Sequence, residues 1–61
     1  MDEELIINYY YMGYELSSDD IPFPNWFSSY FEKKACLLGY NDFNLGVTKN
    51  KEEILKEVNG K

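Results

Sequence analysis

A chain with a single cysteine and no histidine cannot be held together by an internal disulfide or by a zinc site built from Cys and His ligands. This constraint matters because the chain has only 61 residues, and domains of that size bury only about 60% of their unfolded surface. Without such links, stability depends on dense apolar packing or on a partner. The hydrophobic fraction is 44% and the aromatic fraction 18%, which argues against disorder. We expect one folded domain over residues 1–61.

The sequence carries no sign of a membrane or export segment. No apolar run approaches the roughly 18 residues that a membrane-spanning helix needs. The first residues, MDEELII, are acidic, whereas a secretion signal begins with a basic segment. A lone unpaired Cys36 agrees with a reducing compartment. We therefore expect a cytoplasmic protein without membrane contact.

Charge is divided unevenly along the chain. Residues 1–32 carry seven acids and no base, a net charge of −7, whereas residues 33–61 carry four acids and all six lysines, a net charge of +2. The acids of the first part are Asp2, Glu3, Glu4, Glu15, Asp19, Asp20 and Glu32. Direct nucleic-acid binding is disfavoured, because phosphate contacts need clustered lysine or arginine. A protein with a basic surface is the better match as a partner.

The clearest helix signal lies near the C-terminal end. Asn50 suits the N-cap position, and Glu53, three residues later, suits the reciprocal position of a capping box. A narrow apolar face follows, made of Ile54, Leu55 and Val58. The pattern predicts a short helix over residues 51–58.

The middle segment, PNWFSSYFEKKACLLGY, predicts a second helix over residues 24–38. Pro24 suits a first turn, and Gly39 suits the position just after a helix. At about 100° per residue, the apolar side chains cover nearly half of the circumference: Trp26, Phe27, Tyr30, Phe31, Ala35, Leu37 and Leu38. Cys36 falls on the polar side, where we expect it to be partly exposed and without a catalytic role.

The first segment, EELIINYYYMGYEL, allows two interpretations. As a helix over residues 3–16 it has one inward apolar stripe, with Asp2, Glu3 and Glu4 at the positive end of the helix dipole. As a strand over residues 5–14 it would be apolar on both faces, which so short a chain can hardly cover. The many Ile and Tyr residues favour the strand, and Gly13 destabilises a helix interior by about 1 kcal/mol. We favour the helix, whose inward stripe would be Leu5, Tyr9, Met12 and Leu16.

The three segments together predict a mainly α fold, a small three-helix domain with two long ordered loops. The loops would span residues 17–24 and 39–50, and Phe43 and Leu45 in the second loop would fold back onto the core. The alternative is an α+β fold with residues 5–14 as a strand.

Neither catalysis nor metal binding is indicated. Acid–base catalysis without histidine needs carboxylates in a cleft, and so small a domain has little room for one. A calcium loop starting at Asp42 would have Asn44, Gly46, Asn50 and Glu53 as further positions. The glycine required at its sixth position is Val47 instead, so we regard the match as coincidental. We expect no enzyme activity, no cofactor and no metal.

The stretch NYYYMGY has more tyrosines than an inward stripe can hold. The remaining rings would lie on the opposite side of the first helix, beside acidic residues. Monomeric domains seldom leave so large an aromatic area in water, and tyrosine is typical of binding surfaces. The alternative is that these rings cover the two loops. The predicted partner-binding residues are Ile7, Tyr10, Tyr11, Tyr14, Glu15, Asp19 and Asp20.

These features predict a small acidic, non-enzymatic protein-binding module. It would act as an inhibitor or adaptor that docks its tyrosine-rich face on a basic surface of a nucleic-acid-handling protein. In size, acidity and single-domain build the chain resembles the small antagonists encoded by phages and other mobile elements, including anti-CRISPR proteins and DNA mimics. That resemblance is one of composition, and no motif carries it. The alternative is a structural homodimer that uses the same aromatic face.

Overall fold

A computed structural model describes residues 3–60, and within them the chain forms α1 (Glu3–Ser18), α2 (Tyr30–Leu45) and α3 (Lys51–Val58). The predicted mainly α fold of packed helices is confirmed, and residues 5–14 are helical rather than extended. The connections span residues 19–29 and 46–50, so one is long and the other is short, not both long. Asp2 lies outside the described residues.

α1 begins with Glu3 and Glu4, whose carboxylates stabilise the positive end of the helix dipole. It is followed by a turn in which Asp20 adopts a left-handed backbone conformation, with φ of 61°. Aspartate tolerates this region better than most residues. Pro22 and Pro24 then restrict the chain to extended conformations, which separates α1 from α2.

The backbones of α1 and α2 touch where the two helices cross. A Cβ atom placed on Gly13 would overlap the carbonyl oxygen of Cys36, and one placed on Gly39 would overlap the carbonyl oxygen of Tyr10. Only glycine permits so close an approach. The buried residues of α1 are Ile6, Tyr10, Gly13 and Ser17, and those of α2 are Ala35, Cys36, Gly39 and Asp42.

The predicted inward stripe of α1 is wrong by one residue. The buried residues have the predicted spacing, but each lies one position later in the chain, which rotates the stripe by about 100°. Leu5 is consequently 38% exposed, and Tyr9, Met12 and Leu16 are partly buried along the side of α1. Hydrophobicity predicted the wrong stripe because the residue of α1 that contacts the backbone of Cys36 is Gly13, which carries no hydrophobic signal.

The predicted bounds of α2 are also wrong. The helix begins at Tyr30 instead of residue 24, because Ser29 is the N-cap and its side chain accepts a hydrogen bond from the Phe31 N–H at 3.2 Å. It continues past Gly39, which lies at the crossing, and ends before Gly46, whose φ is 73°.

Two side chains in this part of the chain also differ from the prediction. Cys36 is fully buried rather than partly exposed, because it packs against α1 at the crossing. Burial raises the pKa of its thiol to about 11. Leu45 ends α2 and remains largely exposed instead of folding back onto the core.

The prediction for α3 is confirmed. The Asn50 side chain accepts a hydrogen bond from the Glu53 N–H at 2.9 Å, and the Glu53 side chain accepts one from the Asn50 N–H at 3.0 Å. This capping box fixes the start of the helix and thereby aims its apolar face inward. The hydrophobic core consists of Ile6, Tyr10, Ala35, Ile54 and Val58.

No helix within residues 3–60 combines the length and apolarity needed to cross a membrane.

The long connection between α1 and α2 is ordered by aromatic contacts. The Phe23 ring lies 5.4 Å from that of Tyr40 and 5.7 Å from that of Phe27. Phe27 in turn lies 6.1 Å from Tyr9 of α1. The Tyr40 hydroxyl donates a hydrogen bond of 2.6 Å to the carbonyl oxygen of Ile21. The connection therefore packs on both helices.

Candidate functional site

The predicted partner-binding residues do not share one exposed face. Tyr10 has 0% exposure, so the prediction that it lies on the surface is wrong. Its side chain points into the α1–α2 contact, since the buried stripe of α1 lies one residue later in the chain than predicted. Ile7 and Tyr14 are partly buried against the core. The exposed members are Tyr11, Glu15, Asp19 and Asp20.

Tyr10 belongs to a buried polar network. Its hydroxyl donates a hydrogen bond of 2.7 Å to Asp42 Oδ2 and accepts one of 3.0 Å from the Lys49 N–H. Lys49 Nζ lies 2.9 Å from both carboxylate oxygens of Asp42. Among the described residues, every buried side-chain nitrogen or oxygen has a hydrogen-bond partner. Burial raises the pKa of the Tyr10 hydroxyl to about 12. The hydrogen bond from Tyr10 to Asp42 connects α1 to the end of α2.

The residues that match a calcium loop from Asp42 onward make other interactions in the structure. Asp42 is only 2% exposed and is paired with Lys49 and Tyr10. Asn50 and Glu53 cap α3 reciprocally. In the part of the chain that the structure describes, no three His, Cys, Asp or Glu side chains are grouped as a metal ion requires.

A cluster of apolar side chains lies along the side of α1. Trp26 is 61% exposed, and its ring lies 4.6 Å from that of Phe27 with an interplanar angle of 30°. Phe27 contacts Tyr9, and Tyr9 lines a groove of about 220 Å³ together with Leu5, Asn8 and Met12. We call the apolar members of this cluster the aromatic flank: Leu5, Tyr9, Met12, Trp26 and Phe27.

The fold holds Trp26 in place through the residues around it. Pro22 and Pro24 restrict the backbone that leads to it. Phe23 and Phe27 anchor this backbone to Tyr40 and to α1. An exposed ring on an ordered backbone loses less conformational freedom on binding than one on a flexible loop.

Two acidic residues of α1 are helical neighbours of residues that line the groove. Glu4 lies one turn before Asn8, and Glu15 lies one turn after Met12. The exposed acids of this half of the chain are Glu3, Glu4, Glu15, Asp19 and Asp20. No lysine precedes Lys33, so residues 1–32 carry a net charge of −7. The aromatic flank therefore belongs to the acidic half of the sequence.

The aromatic flank was not predicted from the sequence. Three of its residues were expected in the core of α1, and Trp26 and Phe27 were expected on the second helix. The two prolines on either side of Phe23 were the available signal, because they favour an extended segment that can expose one ring and bury the next.

A second exposed apolar face lies on α2. Among residues 3–60, Leu45 and Tyr30 are the most exposed of the large hydrophobic residues, at 73% and 70%. Leu37 lies between them and is 39% exposed. A groove of about 140 Å³ crosses this region and is lined by Lys34, Leu37, Leu38, Asn41 and Glu57.

Comparison with known proteins identifies no relative. No protein-family model matches the chain, and neither a curated protein nor a solved structure is significantly similar to it. The role of each surface is therefore inferred from its geometry and chemistry.

Proposed function

We propose that the chain is a small acidic protein-binding module without enzyme activity. It acts as an inhibitor or adaptor and docks its aromatic flank on a basic surface of another protein. The position of Trp26 is the main support for this proposal: the only tryptophan of the chain is 61% exposed on an ordered aromatic base. Tryptophan and tyrosine are enriched among the residues that dominate binding energy.

The groove on α1 suits an apolar side chain of the partner. Its walls are apolar at Leu5, Tyr9 and Met12, and Asn8 adds an amide that can donate or accept a hydrogen bond at the rim. A volume of about 220 Å³ holds one or two side chains. Phe27 connects Trp26 to this groove, because its ring lies 4.6 Å from the Trp26 ring and 6.1 Å from the ring of Tyr9.

The charge of residues 1–32 selects the partner. A net charge of −7 attracts a surface rich in lysine or arginine and accelerates encounter with it. Proteins that handle nucleic acids carry such surfaces, and we propose one of them as the target. Two copies of this chain meeting through the aromatic flank would bring acid against acid, so we favour a foreign partner over self-pairing at this surface.

Affinity capture with matched variants tests this function. Tagged wild type, Trp26→Ser and Tyr11→Ser are incubated with lysate of the source cell, and proteins eluted by salt are quantified by mass spectrometry. Tyr11 is the control because it is an exposed ring on α1 outside the aromatic flank. We expect wild type and Tyr11→Ser to retain the same basic protein, and Trp26→Ser to lose it. Equal retention by Trp26→Ser would contradict the proposal, provided that circular dichroism shows the same helicity.

Competition with duplex DNA tests the mode of inhibition. If the module occupies the nucleic-acid site of its target, DNA will displace it, and the DNA concentration needed will rise with the concentration of the module. A complex that is unaffected by DNA would show that the module binds elsewhere on the target, which would favour the adaptor role.

A further inference from the structure

The outer face of α2 is apolar and is not used by the proposed function. Tyr30 and Leu45 are the first and last residues of the helix, and Leu37 lies at its middle. At about 100° per residue, these three residues fall within roughly 80° of the circumference, together with Lys34 and Asn41. We call these five residues the α2 outer face. It runs the length of the helix and points away from α1.

We infer that the α2 outer face is a self-association surface, on which two copies of this chain pair with antiparallel α2 helices about a two-fold axis. An axis through the middle of α2 places Tyr30 of one copy against Leu45 of the other. The same axis brings the two Leu37 side chains together. The most exposed apolar residues of the described chain then meet apolar residues.

The central groove fits this arrangement. Leu37 stands next to a recess of about 140 Å³ whose other walls are Lys34, Leu38, Asn41 and Glu57. When two helices pack, a side chain of one enters the space between side chains of the other. The two-fold axis lets Leu37 of each copy enter the groove of the other copy, so both recesses are filled by the same contact.

Charge favours a second copy as the occupant of this face. The groove has one base, Lys34, and one acid, Glu57. Two-fold symmetry brings Lys34 of each copy towards the groove that Glu57 borders in the other, which gives two equivalent ion pairs. Residues 33–61 carry a net charge of +2, so two copies repel each other far less here than through the acidic first half.

The size of the face sets the expected strength. A standard interface buries about 800 Å² per partner, which is roughly a fifth of the 4152 Å² surface of this chain. The α2 outer face consists of five residues, whereas a standard interface has roughly 20–30 residues on each side. We therefore expect a reversible dimer that is mostly dissociated at about 5 µM and mostly formed at about 1 mM.

Sedimentation of the full chain over this concentration range tests the inference, with two leucines as a matched pair. Leu37 and Leu5 are 39% and 38% exposed, so they have the same chemistry and accessibility on different surfaces. We expect Leu37→Glu to weaken the dimer at least about tenfold and Leu5→Glu to leave it unchanged. A dimer that persists in Leu37→Glu, or that is lost in Leu5→Glu, would overturn the inference. So would a wild-type chain that stays monomeric at about 1 mM.

Charge reversal adds a test that unfolding cannot mimic. Lys34→Glu and Glu57→Lys should each weaken the dimer severalfold, and the double variant should recover most of the loss. Failure of the double variant to recover would exclude the proposed ion pairs and the antiparallel arrangement with them. Because the aromatic flank takes no part, Leu37→Glu should still capture the basic partner while Leu5→Glu should not. The proposed dimer and the proposed partner binding can therefore be disproved independently of each other.

Discussion

Two stripes of α1 lie one residue apart in the sequence and differ in what covers them. The stripe that faces α2 contains a glycine and a serine, Gly13 and Ser17, whereas its neighbour contains Leu5, Met12 and other large apolar residues but remains partly exposed. The more hydrophobic stripe is thus not the buried one. The distance between two helices, set by backbone contact, can therefore decide which side of a helix is buried more strongly than hydrophobicity does.

The three consecutive tyrosines illustrate the same point at single-residue scale. Tyr10 is fully buried and its hydroxyl pairs with Asp42. Tyr9 packs its ring on Phe27 at the edge of the core, and Tyr11 is exposed. Identical side chains therefore act as core, as flank and as surface. Equivalent substitutions at different positions of α1 should therefore change the unfolding free energy by different amounts.

The largest effect is expected for Gly13→Ala. In an isolated helix this change stabilises by about 1 kcal/mol, because alanine is the better helix former. Here the added methyl overlaps the backbone of Cys36 and forces α1 and α2 apart, so we expect a loss of about 3 kcal/mol or more in unfolding free energy. Urea denaturation followed by circular dichroism measures it.

The matched control for Gly13→Ala is Asn8→Ala on the exposed side of α1. It should leave the unfolding free energy within about 0.5 kcal/mol of wild type. An increase in stability of Gly13→Ala would contradict the backbone contact at the crossing.

A smaller effect is expected for Tyr10→Phe. Removing the hydroxyl leaves the Lys49 N–H without its acceptor and takes one hydrogen bond from the buried Asp42 carboxylate. We expect a loss of about 2 kcal/mol, against less than about 0.5 kcal/mol for Tyr11→Phe on the surface. Equal effects of the two substitutions in urea denaturation would show that the network contributes nothing to stability.

A further effect is a difference in alkaline stability. The pKa of Tyr10 rises from 10.0 to about 12 on folding, chiefly because of burial. Above the unfolded pKa, the unfolded chain loses this proton while the folded chain keeps it, so stability falls as pH rises. The contribution of the neutral hydroxyl is complete below pH 10.0 and is lost as pH rises through about 12.

Comparison with Tyr10→Phe isolates this contribution. Wild type should lose more unfolding free energy than Tyr10→Phe over that interval. The Cys36 thiol, whose pKa is also raised, is present in both proteins and cancels in the difference. Parallel pH profiles would contradict the burial of the Tyr10 hydroxyl.

Local signals predicted the ends of α3 correctly, because Asn50 and Glu53 satisfy each other within one turn and need no distant contact. The start of α2 had a comparable signal in Ser29 followed by Glu32 three residues later, the spacing of a capping box. The predicted start rested on Pro24 alone. Gly39 was read as a helix end, whereas its role depends on α1, which no local pattern contains.

The candidate site was harder to predict than the fold. Whether Tyr10 or Tyr9 faces inward depends on where a second helix approaches, and that approach depends on glycines that carry no hydrophobic signal. The exposure of Trp26 depends on the extended path of the connection that holds it. Composition nevertheless predicted an acidic half rich in aromatic rings, and the aromatic flank lies in that half.

The exposure of Trp26 has a practical consequence for spectroscopy. As the only indole in the chain and 61% accessible to water, it emits from a largely hydrated setting whether the chain is folded or not. Its fluorescence is consequently a poor measure of unfolding, although most small proteins are followed that way. The same indole loses its water when a partner covers it, so a blue shift of its emission reports occupancy of the aromatic flank without any added label.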